Sequence, residues 1–268
     1  MSLRKRLPTS VLLLAALFLI IQYAPPLLWL AFSQLFIIGA LVEFYNLAER
    51  KKLMPRKTIG IIFAMIMSVP FYIPTVPFTL AFFVCLLLAA VYYVFYINTL
   101  EKLPFFPSSI SITIFGALYL SFTLNYLYLI RLEKGAFYLY FLFAVVFLGD
   151  TGAYFIGKPF GRRKMTPMAS PNKTWEGSFG GIVFACLGAA AAKLLFFQEI
   201  PLWMALATGA LTHAAAQVSD PLESLFKRAV GIKDSSNLLP GHGGLLDRID
   251  SLILAGPLFF YIIMYFWK

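Results

Sequence analysis

The 268 residues are 60% hydrophobic and 13% charged, with a mean hydropathy of +0.82, whereas soluble domains carry about 25% charged residues and about half apolar ones. That balance excludes a soluble globular domain and defines an integral membrane protein. The 22 Lys and Arg outnumber the 12 Asp and Glu, for a formal net charge of +10, but no basic run is interleaved with aromatics in a soluble segment, so nucleic acid is excluded as a partner and the bases read as loop charge that sets orientation.

In chain order, Arg4, Lys5 and Arg6 precede an apolar run from Val11 to Ala24. The pair imitates a secretory signal, yet no small-residue cleavage pattern follows, because Gln22 and Ala24 lead into Pro25-Pro26. A retained first span is expected. Further apolar runs cover Leu27 to Leu47, Ile59 to Ile73, Pro77 to Ile97, Ser109 to Ile130, Ala136 to Ile156, Phe179 to Phe197, Leu202 to Val218 and Ile249 to Trp267. Most approach the roughly 20 residues that a bilayer core requires. The expected fold is therefore all-α, a polytopic helical bundle of about nine transmembrane helices. Residues 1–108 hold about four spans, and residues 109–268 form a C-terminal catalytic region with polar loops at 157–178 and 219–248. Cys85 and Cys186 sit in apolar runs without Cys or His partners and read as small core residues.

Sorting the bases by loop places 18 on the side of the N-terminus and leaves only Arg131, Lys134, Lys193 and Lys268 opposite. The positive-inside bias predicts a cytoplasmic N-terminus. Both long polar loops then share the cytoplasmic face and can form one site.

The stretch from Ser219 to Asp250 concentrates the chemistry, with five of the twelve acids: Asp220, Glu223, Asp234, Asp247 and Asp250. Asp247 and Asp250, three residues apart where the last apolar helix begins, share one face of its first turn and repel each other. Asp220, expected to end the eighth span just before Pro221, can add a third oxygen. Hard carboxylate ligands without a nearby thiol suggest Mg²⁺ as the metal. The plainer alternative makes Asp220 a helix cap and Asp247 a complement to a helix dipole. Glu223 and Lys227, spaced i,i+4 on an expected short interfacial helix from Pro221 to Val230, read either as a surface ion pair or as part of the site. Lys227, Arg228 and Lys233 read as clamps for phosphate oxygens, or as bases drawn to anionic headgroups. Gly241, Gly243 and Gly244 let backbone amides approach an anion, and His242 among them can donate to phosphate or act as an acid. His213 reads as a satisfied polar group inside its helix.

Upstream, Asp150 lies in the sixth span and is a functional candidate as an intramembrane acid. Asn172 and Lys173, in Ser170-Pro171-Asn172-Lys173-Thr174-Trp175-Glu176-Gly177, can contact a nucleotide or phosphate. Trp175 reads as an interface anchor, and Gly177, Gly180, Gly181 and Gly188 as positions of close helix packing.

The run Ser224-Leu225-Phe226-Lys227-Arg228, Lys233-Asp234, Leu239-Pro240-Gly241-His242-Gly243-Gly244, Asp247-Arg248-Ile249-Asp250 resembles the signature of the phosphatidate cytidylyltransferase family, the CDP-diacylglycerol synthases. The Asp150 to Gly157 segment, the Ser170 to Gly177 loop and Ser219 to Ser224 resemble it too, so the matching motifs fill the C-terminal half. The resemblance implies that CTP and phosphatidate are converted to CDP-diacylglycerol and pyrophosphate with Mg²⁺, in phospholipid biosynthesis at the cell (inner) membrane. It implies Asp220, Asp247 and Asp250 as metal ligands, with Lys227 and His242 as further catalytic groups. Substrate contacts would come from Lys227, Arg228, Lys233, Arg248, the Gly241 to Gly244 backbone, Glu223 and Ser224, and from Asp150, Asn172 and Lys173. A second cation between the carboxylates stays an open alternative, as does a homodimer among membrane lipids. Two other functions compete: a CTP-dependent polyprenol or dolichol kinase, and an ion-coupled transporter using Asp150, His213 and Asp250.

Overall fold

The computed structural model describes residues 15–236, 238 and 243–267. Each expected apolar run has a helical counterpart. Residues 15–23 are helical (α1), and α2 (Pro26–Arg50) opens on Pro26 at its first turn, where a missing N–H costs nothing. Next come α3 (Lys57–Tyr72) and α4 (Phe78–Tyr96). A continuous helical stretch, Leu103–Lys134, follows. It contains α5 (Phe106–Ala117) and α6 (Thr123–Leu129), separated and ended by π-helical turns at Leu118–Phe122 and Ile130–Lys134. Then come α7 (Ala136–Phe160), α8 (Trp175–Phe196), α9 (Leu202–Ala229) and α10 (Leu246–Phe266).

Six of these segments are long and apolar enough to cross a membrane: α2, α4, Leu103–Lys134, α7, α8 and α10. The molecule is an integral membrane protein with an all-α architecture. Of the other three expected spans, the first, Val11 to Ala24, lies partly outside the described residues, α3 is a shorter apolar helix, and α9 carries its polar residues in its second half.

Three expectations about the loops are corrected. The eighth span does not end at Asp220: α9 runs unbroken through Pro221 for 28 residues. Pro221 removes one helical hydrogen bond, but Ser219, Glu223, Ser224 and Lys227 form a buried face around it, and that tertiary packing carries the helix through. There is accordingly no separate interfacial helix from Pro221 to Val230. The expected 157–178 loop, in turn, is shorter, because α7 runs to Phe160 and α8 starts at Trp175; between them lies a small antiparallel hairpin, β1 (Lys164–Thr166) paired with β2 (Ser170–Thr174). Thr174 caps α8 by accepting from Gly177 N–H at 3.2 Å, and Glu176 accepts from the backbone of Arg162 at 3.0 Å, which folds the hairpin back onto the bundle.

Two apolar cores hold the helices together. One gathers Trp29, Phe71, Phe141, Val145, Ala185, Ala205 and Phe259; the other gathers Leu41, Phe44, Tyr45, Phe63, Leu120, Leu246 and Ile253. The second lies beneath the first turn of α10. Small residues let α7 and α8 approach closely, as expected: a Cβ at Gly180 would strike Ile156 at 2.5 Å, and one at Gly188 would come within 2.9 Å of the Ala144 carbonyl. Cys85 is a buried free cysteine, and Trp175 is exposed.

Candidate functional site

The polar groups converge where α7, β2, α9 and α10 meet. α9 and α10 are bound side by side through Ser219, whose hydroxyl donates to the Asp250 carbonyl and accepts from Leu254 N–H at 3.3 Å. α8 joins α9 through Ser178 and Gln217, with the Gln217 amide donating to the Ser178 carbonyl at 2.8 Å.

Within this frame, two lysines thread a row of carboxylates. Lys173, brought inward by the hairpin, pairs with Asp220 Oδ2 at 2.6 Å. Asp220 Oδ1 accepts from Ser224 at 3.3 Å. One turn further along α9, Lys227 stands between Glu223 and Asp247, with Nζ 2.7 Å from Asp247 Oδ1. Only 1% of the Glu223 side chain and 8% of Lys227 are exposed, so the surface-pair reading of these two is set aside. Asp250 Oδ1 accepts from Ser251 N–H at 2.7 Å. The Ser251 hydroxyl reaches both Asp250 Oδ1 at 3.3 Å and Asp150 Oδ2 at 3.4 Å, linking α10 to α7. Asp150, Lys173, Asp220, Glu223, Ser224, Lys227, Asp247 and Asp250 thus make one polar centre of three bonded groups: Lys173–Asp220–Ser224, Glu223–Lys227–Asp247 and Asp250–Ser251–Asp150.

Asp247 is more occupied than its position in the sequence suggests. Its Oδ2 accepts from Ser235 N–H at 2.9 Å, the Ser235 hydroxyl at 3.0 Å and Gly244 N–H at 2.8 Å, while Oδ1 faces Lys227. Protein donors therefore surround both oxygens, and the carboxylate anchors the loop before α10. Asp220 and Asp250 keep fewer such partners. Among the described residues, no three His, Cys, Asp or Glu side chains form a ready metal cage.

Two of the expected contact groups, Arg228 and the Gly244 amide, engage protein partners. Arg228 donates to the carbonyls of Ala169 at 3.3 Å and Ile232 at 2.9 Å, so its guanidinium joins the hairpin to the end of α9. Gly244 donates to Asp247, and a Cβ there would collide with Ser235 Oγ and Glu43, so the missing side chain makes room for neighbours in the protein. Gly243 has φ +83°, a left-handed conformation that favours glycine. Asn172, Lys233 and Arg248 are exposed, and Gly241 and His242 lie outside the described residues. His213 is fully buried, yet neither ring nitrogen has a hydrogen-bond partner among the described residues. The expectation of a satisfied group fails because Gly149 and Gly181 present bare Cα positions to the ring, which leaves it packed between them.

Glu43 escaped the sequence reading. It is buried on α2 and accepts from Ser235, Ser236, Leu245 and Leu246. The signal was present, since Glu43 is an acid inside the apolar run Leu27 to Leu47, the same rule that singles out Asp150. Ser219, Ser235 and Ser251 were also unseen as donors, because a serine advertises no partner in sequence.

Fold and site together define a polytopic membrane protein with a carboxylate and lysine centre at the junction of its C-terminal helices. The chain belongs to the cytidylyltransferase family, whose model it matches over residues 4–266. Curated relatives named phosphatidate cytidylyltransferase include proteins of Staphylococcus saprophyticus, 42% identical over 140 residues, and Bacillus subtilis, 36% identical over 171. A third, from Pseudomonas aeruginosa, is 49% identical over 116 residues. The matches take in 52%, 63% and 43% of this chain, and span 54%, 64% and 43% of those relatives' own lengths.

Proposed function

We propose that the chain transfers the cytidylyl group of CTP to phosphatidate, yielding CDP-diacylglycerol and pyrophosphate at the membrane surface for phospholipid biosynthesis. The observation that carries the proposal is the lysine-threaded carboxylate row on α7, β2, α9 and α10, in a chain of the cytidylyltransferase family. A phosphate oxygen of the lipid attacks the α-phosphorus of CTP, a new P–O bond forms, and the bond to the β-phosphate oxygen breaks. The attacking group is supplied by the lipid, so no protein nucleophile is required. Catalysis then consists of positioning and charge stabilisation.

Lys173 and Lys227, held ready by carboxylates, can turn toward phosphate oxygens as the polyanion binds; each keeps an acid partner that fixes its place. Asp247 orients Lys227, and Ser224 orients Asp220. Exposed Lys233 and Arg248, with His242 and the Gly241 to Gly243 backbone, are proposed as further triphosphate contacts, and Asn172 as a nucleotide contact. Mg²⁺ fits this donor set, because it is ordinarily held by one or two carboxylates together with substrate phosphates and water. Asp220 and Asp250 would hold it, with Asp150 beside them. When bound, Mg²⁺ neutralises triphosphate charge and steadies the departing pyrophosphate. The excess of bases on one side supports a cytoplasmic site, where soluble CTP meets a lipid whose acyl chains stay in the bilayer.

Purified protein given phosphatidate, Mg²⁺ and CTP labelled at the α-phosphate is expected to move the label onto lipid, and chelation of Mg²⁺ should stop the transfer until the ion is restored. In a parallel reaction with CTP labelled at the γ-phosphate, label on lipid from that position and none from the α-phosphate would overturn the proposal in favour of a lipid kinase. Absence of any labelled lipid would overturn it as well.

A further inference from the structure

Glu43 stands in α2, far in sequence from the motifs above, with 5% of its surface exposed. A carboxylate buried without partners is costly, and all four donors to this one come from the stretch leading into α10. Oε1 accepts from Leu245 N–H at 3.0 Å and the Ser236 hydroxyl at 2.6 Å; Oε2 accepts from Leu246 N–H at 2.8 Å and the Ser235 hydroxyl at 3.0 Å. α10 has Leu245 at its N-cap and no side-chain cap of its own. The first backbone donors of a helix need acceptors, and its N-terminus favours negative charge. Glu43 meets both needs from a different helix.

The contact does not stop at the cap. The Ser235 hydroxyl lies 3.0 Å from Glu43 Oε2 and 3.0 Å from Asp247 Oδ2. It carries a single proton, so the two carboxylates share one donor, and the position of one constrains the other. Asp247 in turn holds Lys227 at 2.7 Å. A side chain at Gly244 would break into this junction, since its Cβ would fall within 2.5 Å of Glu43 Oε2.

We infer that Glu43 is a positioning residue of the site: from α2 it fixes the start of α10 and, through Ser235, sets Asp247 and the lysine that Asp247 holds. The inference rests on the cytidylyl-transfer reading for its kinetic consequence. It assigns the N-terminal helices a direct part in shaping the phosphate-binding end of the centre.

The test uses the full chain in detergent with CTP, Mg²⁺ and phosphatidate. Glu43→Gln keeps the shape but removes the charge and turns an amide N–H toward backbone N–H groups. Loss of a hydrogen bond to a charged group predicts a rise in KM for CTP of about tenfold, larger than any fall in the folded fraction. Glu43→Asp, which keeps the charge, should recover part of that loss. Glu49→Gln, at an exposed position on the same helix paired with Lys57, should leave both kinetic constants unchanged. Wild-type KM and kcat per folded molecule in Glu43→Gln would overturn the inference. Should that variant fail to fold, Ser235→Ala reads the link from the other side: a raised KM supports it and an unchanged KM overturns it. If the wild-type chain transfers no cytidylyl group, the functional reading fails by itself, and hydrogen exchange then decides the inference. The Leu245 and Leu246 amides should exchange about tenfold faster in Glu43→Gln, and equal rates would overturn it.

Discussion

Lys227 is the residue on which the site's charge balance turns. It lies between Glu223 and Asp247 with almost no solvent contact, so replacing it with a neutral side chain leaves two neighbouring carboxylates without their shared cation. Breaking a buried ion pair by removing one partner typically costs about 3–5 kcal/mol. Lys227→Met is therefore expected to lower the thermal midpoint of the purified protein by many degrees and to abolish cytidylyl transfer. A midpoint equal to that of wild type would show that the pair is not buried in the working protein. Asp250 differs, because its carboxylate is bound mainly by Ser251 and its removal leaves no lysine stranded. Asp250→Asn should abolish transfer while the thermal midpoint stays close to wild type, a separation of activity from stability that a purely structural acid would not give.

At the scale of elements, the sequence showed where helices would lie and misjudged how they end. Apolar length is a local property, and so α2, α4, α7, α8 and α10 could be read directly. Pro221 looked like a boundary because proline removes a helical N–H; α9 nevertheless continues, since its Ser219, Glu223, Ser224 and Lys227 face packs against α10. The hairpin from Lys164 to Thr174 had no apolar alternation to reveal it, and Glu176 holds it through backbone bonds. The glycine positions were legible because close helix packing demands small residues. Gly152 offers a test: a Cβ there would collide with Phe184 across the α7–α8 contact. Overpacking of this kind costs about 1–3 kcal/mol, so Gly152→Ala should lower the thermal midpoint, and an unchanged midpoint would mean that the two helices are less closely packed than described.

For the whole molecule, the distribution of bases predicts the sidedness of the site. The hairpin and the α8–α9 connection lie at opposite ends of α8, whose 22 residues span about 33 Å. Single cysteines at exposed Asn172 and Gln198, introduced after replacement of Cys85 and Cys186, should therefore label from opposite faces with an impermeant thiol reagent. Asn172→Cys is expected to react in inverted vesicles and Gln198→Cys in right-side-out ones. The reverse pattern would move the site to the outer face, and labelling of both from one face would refute the arrangement of α8 as a span. Both apolar cores include residues from before and after residue 108, and Glu43 ties the first part of the chain to the start of α10, so the site depends on helices that carry none of its signature motifs.

The sequence alone determined the membrane class, the helical fold, the family resemblance and the concentration of chemistry between Asp150 and Asp250, because apolar run length and residue identity are local properties. Tertiary structure decided which charges meet. It seated Lys173 on Asp220, buried Lys227 between Glu223 and Asp247, turned Asp247 toward the loop donors of Ser235 and Gly244, and brought Glu43 from α2 to the head of α10. Apart from the i,i+4 pair of Glu223 with Lys227 and the local bond from Gly244 to Asp247, these pairings join residues whose proximity depends on how the elements pack, and a buried charge finds its partner only when the bundle closes around it.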